Sequence, residues 1–280
     1  MLVITHAAKG GTGRTVAAAN IGHRLALRGA DVCHLDLDTG AATAASVLGL
    51  PAPDPGGTHS LLLGRAGTPA RLDVWERSRW FDPQGRPPGA GRHELLPGDP
   101  AGGDFPADRD VVARLVELLL RLDEEFDMCL LDLRSGRSFM VDAVLAATAD
   151  PRIGPIERRW LIFHRWTEQH LLATHALMHD ERGLLACAGA RGHDETQLLA
   201  RTWYVRAAGD GEPDPATGRR LARLAGRLRL AERVAATVAY DRDLAWREHL
   251  VTGGPATAAY EAVADLVDTA RRVPAGTGAA

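Results

Sequence analysis

The stretch AAKGGTGRTVAAANIGHRL, residues 7–25, decides the fold of this chain. Three glycines, Gly10, Gly11 and Gly13, allow the backbone to curl so that successive N–H groups point at one centre. The apolar run MLVITHA precedes the loop as a buried strand, and a helix follows whose N-terminal partial positive charge favours an anion. Thr15 supplies a hydroxyl suited to a magnesium ion. The stretch therefore predicts a phosphate-binding loop between a strand and a helix.

Strands and helices alternate along the rest of the chain. The segment VAAANIGHRLALRG predicts a helix that ends at Gly29, and DVCHLDLD predicts a second strand, which together form a parallel βαβ unit. Apolar runs such as MCLLDL and RRWLIFHRW then alternate with amphipathic stretches such as VVARLVELLLRLDEEF. The pattern predicts an α/β fold, a doubly wound, mainly parallel β-sheet flanked by helices.

We expect one domain over residues 1–273. Residues 51–110 are dense in Pro and Gly, which predicts an irregular insertion with one short helix and one short strand. Residues 216–234 are predicted to be helical throughout. Residues 274–280, PAGTGAA, are expected to be a disordered tail.

Composition narrows the class of protein. The formal net charge is −3, so no global basic field favours nucleic acid. We find neither a signal peptide nor a run of about 20 apolar residues that could span a bilayer, which predicts a cytoplasmic protein. The three cysteines, Cys33, Cys129 and Cys187, have neither zinc-site nor disulfide spacing and are interpreted as buried reduced thiols.

Carboxylates follow two of the predicted strands. Asp36 and Asp38 lie two residues apart, so their side chains share one face of a strand. Asp132 ends the apolar run MCLLD, where the presence of a carboxylate needs a reason. Capping of a turn or helix is the alternative interpretation. The carboxyl ends of parallel strands meet at one edge of a sheet, and this predicts that the three lie near the phosphate loop.

Several motifs, in order, resemble the ParA/MinD partition and division-site ATPases. KGGTGRT at 9–15 resembles their deviant phosphate loop KGGxGK[ST], DLDTG at 36–40 their aspartate pair, and LLDLRSG at 130–136 their Walker B strand. VAYDRDLAWREHLVTGGP at 238–255 resembles their late strand and the segment after it. The arginine in the loop resembles an actinobacterial KGGxGR branch. The resemblance covers nearly the whole chain, least well at 51–90 and 180–220.

The resemblance implies ATP and Mg²⁺ as ligands, with adenine carried over from the family alone. It implies a catalytic role for Asp38, which would orient the attacking water, and for Lys9, which would reach the phosphates of a partner subunit. The implied magnesium ligands are Thr15, Asp36 and Asp132. Ser135, Gly136 and Ser138 would form a switch that senses the γ-phosphate. The implied nucleotide-binding residues are Lys9, Gly10, Gly11, Thr12, Gly13, Arg14, Thr15 and Val16.

The two basic residues of the loop, Lys9 and Arg14, differ in what they indicate about function. Lys9 is the only lysine among 33 basic residues, so its retention favours a role that arginine cannot fill. Arg14 replaces the lysine that would grip the β- and γ-phosphates. Its guanidinium can still bind phosphate, but it is bulkier and fixes the geometry. Because phosphoryl transfer depends on positioning, hydrolysis should suffer more than binding.

The sequence thus predicts a nucleotide-binding switch protein with slow or absent ATP hydrolysis that acts through nucleotide-dependent dimerisation. The alternative is a pseudo-ATPase scaffold with no turnover. An amidotransferase-like or cofactor-synthesis relative is a third, disfavoured interpretation.

Expectations about partners rest on one predicted helix and on the C-terminal sequence. Arg219, Arg223 and Arg227 follow i, i+4 spacing, which suits either a solvated face or non-specific DNA binding through phosphates. The C-terminal sequence RRVPAGTGAA lacks an amphipathic helix of the kind that attaches to membranes, so no membrane attachment is expected. A homodimer and an unidentified protein partner remain the expected assemblies.

Overall fold

The computed structural model describes residues 1–40, 43–51, 56–81, 85–99, 102–211, 213–253 and 257–272. Within these ranges the strands are β1 Leu2–Ala7, β2 Val32–Leu37, β3 Leu72–Asp73, β4 His93–Leu96, β5 Met128–Leu133, β6 Arg158–Arg165, β7 Thr202–Ala207 and β8 Val234–Val238. The helices are α1 Arg14–Leu27, α2 Ala44–Val47, α3 Thr58–Leu62, α4 Val74–Arg77, α5 Arg109–Glu125, α6 Phe139–Thr148, α7 Glu168–His179, α8 Leu184–Gly189, α9 Glu195–Ala200, α10 Pro215–Arg227, α11 Arg242–Arg247 and α12 Thr257–Arg272.

The strands form one sheet in the order β3-β4-β2-β5-β1-β6-β7-β8. Every neighbouring pair is parallel except β3 and β4, which are antiparallel. The predicted doubly wound, mainly parallel sheet is therefore confirmed. After β1 the chain continues to β2 on one side of it, and it later returns to β6 on the other side. The strand order thus reverses beside β1, where sheets of this kind bind ligands at their carboxyl edge.

The central strands are apolar because helices cover both faces of the sheet. All six residues of β1, of β2 and of β5 are buried. Such strands read as continuous hydrophobic runs, and this is why LVITHA and MCLLDL are so easily found in the sequence. Cys33 and Cys129 face each other across the β2–β5 pair as buried free thiols.

Helices α1 and α10 end in the same backbone arrangement but with different residues in the left-handed conformation. Helix α1 ends as predicted at Gly29, which adopts φ 92° while Ala30 N–H donates to the Leu25 carbonyl. Helix α10 ends in the same Schellman arrangement, with Leu230 N–H donating to the Ala225 carbonyl. There Arg229 takes the left-handed conformation at φ 54°. The prediction of one helix over 216–234 was therefore wrong, since an arginine ends the helix where only a glycine would have signalled it.

Residues 51–110 hold more regular structure than expected. Their described parts contain the short helices α3 and α4 and the short strands β3 and β4. Strand β4 pairs with β2 in parallel, so the second half of this region completes the sheet. The single domain over 1–273 stays a prediction, and the expected tail at 274–280 lies outside the described residues. In the described ranges, no helix combines the length and the apolar character that crossing a bilayer would require.

Candidate functional site

The glycine loop lies at the carboxyl end of β1 and leads directly into α1. Gly11 and Gly13 have φ values of 75° and 68°, a region that L side chains rarely adopt. Gly13 is the residue before α1, and its carbonyl accepts the Ala17 N–H at 2.8 Å. The sequence needs glycine at these positions because the chain turns from a strand into a helix within a few residues. The helix N-terminus consequently opens onto the loop, as an anion site requires.

Arg14 does not extend into solvent but lies buried against the neighbouring strand β5. Its side chain is 6% exposed, and its Nε donates to Asp132 Oδ1 at 2.6 Å. Nη1 donates to the hydroxyl of Ser135 at 3.0 Å, and Nη2 donates to the hydroxyl of Thr15 at 3.4 Å. Nη2 also lies 3.5 Å from Asp38 Oδ2. A single guanidinium therefore joins the loop to two carboxylates predicted to be functional.

The ionisation of Asp132 reflects this contact. Burial alone would raise the pKa of its carboxyl, but the Arg14 charge and hydrogen bonds to it hold the pKa below its usual value. Oδ1 also accepts a hydrogen bond from the Thr5 hydroxyl at 2.9 Å. The other oxygen, Oδ2, is buried and has no hydrogen-bond partner among the described residues. The carboxylate is thus held ionised by the arginine and closed off from solvent.

Asp36 behaves differently from Asp132, its register neighbour across the β2–β5 pair. Burial, reinforced by the charge of Asp132, raises the pKa of Asp36 to about 8. Its two oxygens accept backbone N–H groups of Asp38 and Ala44, at 3.0 and 3.2 Å. Asp36 therefore organises the turn after β2, which is the capping role that the sequence left open as an alternative.

The oxygens of the expected magnesium ligands take part in hydrogen bonds within the protein, apart from Asp132 Oδ2. Thr15 and Asp132 both receive hydrogen bonds from the Arg14 guanidinium, and Asp36 accepts from the backbone. In the described parts of the chain, no three His, Cys, Asp or Glu side chains converge as a metal site. A second cation beside the guanidinium would meet like-charge repulsion.

The other predicted site residues take separate positions around the loop. Lys9 is exposed, and its Nζ donates to Gln169 Oε1 on α7 at 2.9 Å. Gly136 N–H donates to the Ala7 carbonyl at 2.7 Å, which ties the predicted switch to the end of β1. Ser138 accepts the Val141 N–H and caps α6. Of the three switch residues, Ser135 is the one that contacts Arg14 directly.

Two cavities flank the glycine loop, and residues 11–13, Val16 and Glu248 line both. The smaller one, about 150 Å³, also includes Arg14, Thr15 and Ser135. The larger one, about 180 Å³, extends to Ala207, Ala208 and the segment 238–241 after β8. The lining of the smaller cavity is mainly polar, whereas that of the larger cavity is mainly apolar.

The segment after α11 is fastened to α1. Asn20 accepts the Val251 N–H at 2.7 Å and donates to the carbonyl of His249 at 3.3 Å, and Arg24 donates to the Val251 carbonyl. Asn20 is fully buried, so its amide has exchanged water for these contacts. Sequence reasoning missed Asn20 and Glu248. A buried asparagine inside an apolar helix was the available signal for the first, whereas nothing local marks the second.

Two groups of arginines lie outside the loop. Arg206, on β7, has its guanidinium carbon 4.9 Å from the centre of the Trp166 ring. It is not among the residues that line the larger cavity. Arg219, Arg223 and Arg227 are all exposed on α10, whose buried side includes Leu221 and Ala225.

Solved structures with the same fold span almost the entire chain. Apo McdA from Cyanothece matches with a TM-score of 0.64 at 15% identity, over 95% of this chain and 98% of that one. MinD from Pyrococcus horikoshii, complexed with Mg-ADP, matches with 0.61 at 17% identity, over 99% and 100%. The pNOB8 ParA bound to nonspecific DNA matches with 0.59 at 14% identity, over 96% of each chain. The sequence matches no family model and no curated protein.

These likenesses establish the fold as that of MinD- and ParA-like P-loop ATPases. At such low identity they establish the fold alone. The roles of individual residues, the KGGxGR branch and the expected assemblies stay predictions.

Proposed function

We propose that this chain is an ATP-binding switch protein that hydrolyses its nucleotide slowly or not at all and dimerises when the nucleotide is bound. The observation that supports this most directly is the position of the loop 9–15. It joins the central strand to α1 at the point where the strand order reverses, and cavities open on both sides of it. The loop N–H groups and the start of α1 would bind the phosphates.

The contacts of Asp38 support the proposal of slow turnover. A carboxylate that orients an attacking water must be able to accept its proton or hydrogen bond. Asp38 Oδ2 lies 3.5 Å from the Arg14 guanidinium, and Oδ1 accepts the Gly40 N–H at 3.1 Å. Both oxygens are thus engaged within the protein, which favours binding over hydrolysis. This contact equally favours the alternative of a pseudo-ATPase scaffold, for which restoring lysine at position 14 should leave the cellular role unchanged.

Dimerisation is assigned to the exposed side of the loop. Lys9 is exposed, and its Nζ donates a hydrogen bond to Gln169. An ammonium on a flexible stem in this position can reach a phosphate bound to a second copy of the chain.

We expect calorimetry to show that the wild-type protein binds ATP. Light scattering should show that its mass doubles when ATP is added. Gly13→Val should weaken binding tenfold or more, because φ 68° at this position is strained for a β-branched residue. Lys9→Ala should bind ATP but stay monomeric. Gly192→Val is the matched control, since Gly192 has φ 91° and lies away from the loop. Absence of ATP binding at millimolar nucleotide would overturn the proposal.

DNA is proposed as a further partner of α10, through the exposed arginines Arg219, Arg223 and Arg227. Phosphate contacts release counterions, so binding of random-sequence duplex DNA should weaken steeply with salt. Replacing the three arginines with alanine should lower the salt slope by about 0.9 for each phosphate that is no longer neutralised. Fluorescence anisotropy over a salt series measures this slope.

A charge-matched control separates a local contact from a general loss of charge. Arg65, Arg77 and Arg121 are exposed elsewhere on the chain, and their triple replacement with alanine removes the same charge. Equal reductions of the slope in both triple variants would show that α10 is not a specific docking face.

A further inference from the structure

The guanidinium of Arg14 lies between the smaller cavity and two carboxylates. Its Nε is 2.6 Å from Asp132 Oδ1, and its Nη2 is 3.5 Å from Asp38 Oδ2. Arg14 lines this cavity, whereas neither aspartate is among the described residues that do so. A cation in this cavity would therefore share it with the Arg14 guanidinium and the Glu248 carboxylate and not with Asp132 or Asp38.

The same side chain also occupies the hydroxyl oxygens nearby. Nη1 donates to Ser135 and Nη2 to Thr15, at 3.0 and 3.4 Å. Carboxylate, hydroxyl and water oxygens are the ligands that Mg²⁺ and Mn²⁺ prefer. Here Asp132 Oδ1 and the hydroxyl oxygens of Ser135 and Thr15 accept hydrogen bonds from the positively charged guanidinium. Arg14 is buried, and these hydrogen bonds hold its side chain in place.

The guanidinium can still serve a phosphate on its cavity side. It carries five N–H donors in a planar fork, and its two Nη atoms have more donors than the contacts to Ser135 and Thr15 use. Arginine binds phosphate oxygens through paired, charge-assisted hydrogen bonds. One side chain can therefore bridge the acidic residues and a polyphosphate, which is the electrostatic task that a bound metal ion performs in other phosphate sites.

We infer that the Arg14 guanidinium takes the place of a divalent cation in this site, and that the nucleoside triphosphate binds as the metal-free polyanion. The identity of the ligand rests on the proposed function. The exclusion of a divalent cation rests on the contacts of Arg14 alone, so the two can be tested apart.

The first measurement is the affinity for ATP by calorimetry in EDTA and in excess Mg²⁺. For the wild type, the two dissociation constants should differ by less than about threefold. Arg14→Lys, whose compact ammonium cannot make the same set of contacts, should gain a preference for Mg²⁺ of about tenfold or more. Arg152→Lys is the matched control, because Arg152 is an exposed arginine paired with Asp150 and Glu117. Loss of wild-type binding in EDTA, or an Arg14→Lys variant that ignores Mg²⁺, would overturn the inference.

The second measurement uses Mn²⁺ without nucleotide, followed by electron paramagnetic resonance. The wild type should leave the Mn²⁺ signal unchanged, and Arg14→Gln, checked for folding by circular dichroism, should take up one ion. Uptake by the wild type contradicts the inference, and so does a folded Arg14→Gln variant that takes up none. If ATP does not bind under any condition, the proposed function fails, and the Mn²⁺ result still decides whether Arg14 stands in for the cation.

Discussion

Replacing Arg14 with methionine is expected to lower the free energy of unfolding by about 3–5 kcal/mol, the usual cost of removing one partner from a buried ion pair. Asp132 is 1% exposed, and Arg14 is its cationic partner at 2.6 Å. Methionine fills much of the same volume but leaves the carboxylate ionised in an apolar setting. The loss of stability in the variant should therefore be largest at pH values at which Asp132 is charged.

Urea unfolding of Arg14→Met at two pH values tests this origin. Without the guanidinium, burial raises the pKa of Asp132 in the folded state, so protonation relieves the penalty as the pH falls. The difference in unfolding free energy between the wild type and Arg14→Met should be larger at about pH 7.5 than at about pH 5. The double variant Arg14→Met/Asp132→Leu removes both charges and should recover most of the lost stability. A single variant as stable as the wild type at neutral pH would mean that the pair is not buried as described.

Replacing His23 with phenylalanine should stabilise the protein at acid pH and change little at neutral pH. The His23 ring is 1% exposed and packs 5.1 Å from the Trp75 ring, 5.2 Å from that of Phe81 and 5.9 Å from that of His93. Burial, with a smaller contribution from the Arg24 charge, lowers the pKa of His23 to about 3. Below its ordinary pKa of about 6.5, the unfolded chain takes up a proton that the folded chain refuses.

The sign and size follow from this difference in proton uptake. Above about pH 6.5, the proton uptake of His23 does not lower the free energy of unfolding of the wild type. Below that pH the free energy of unfolding falls until about pH 3, and at pH 5 the loss is about 2 kcal/mol. The difference in unfolding free energy between His23→Phe and the wild type should grow by about this amount between pH 7.5 and pH 5. His23→Leu should show the same pH dependence despite a different packing cost. A difference that does not vary with pH would contradict the burial argument.

Local sequence was sufficient for the framework of the fold. Apolar runs of six residues marked the central strands, Gly29 marked the end of α1, and the glycines of the loop marked a turn that requires positive φ. Each of these signals depends on residues close together in the chain. The same reasoning failed at Arg229, because arginine rarely adopts the left-handed conformation that this residue takes before the buried Leu230.

The candidate site was predicted as a set of residues but not as a set of contacts. Lys9, Arg14, Asp38 and Asp132 were all selected from their motifs. That Arg14 would turn toward Asp132, 118 residues away, depends on β1 and β5 being neighbours in the sheet. The aspartate that ends the apolar run MCLLD was the one hint, since a carboxylate is costly to bury without a partner. Glu248 reaches the cavities only because its segment folds back onto α1.

The hydrogen bonds from Asn20 and Arg24 to the segment 249–251 have a mechanical consequence. Helix α1 begins at the phosphate loop, and the segment it holds follows directly on Glu248, which borders both cavities. Helix α1 and residues 249–251 are thus coupled through two buried side chains, Asn20 and Arg24. A displacement of the start of the helix would therefore be transmitted to the segment beside Glu248.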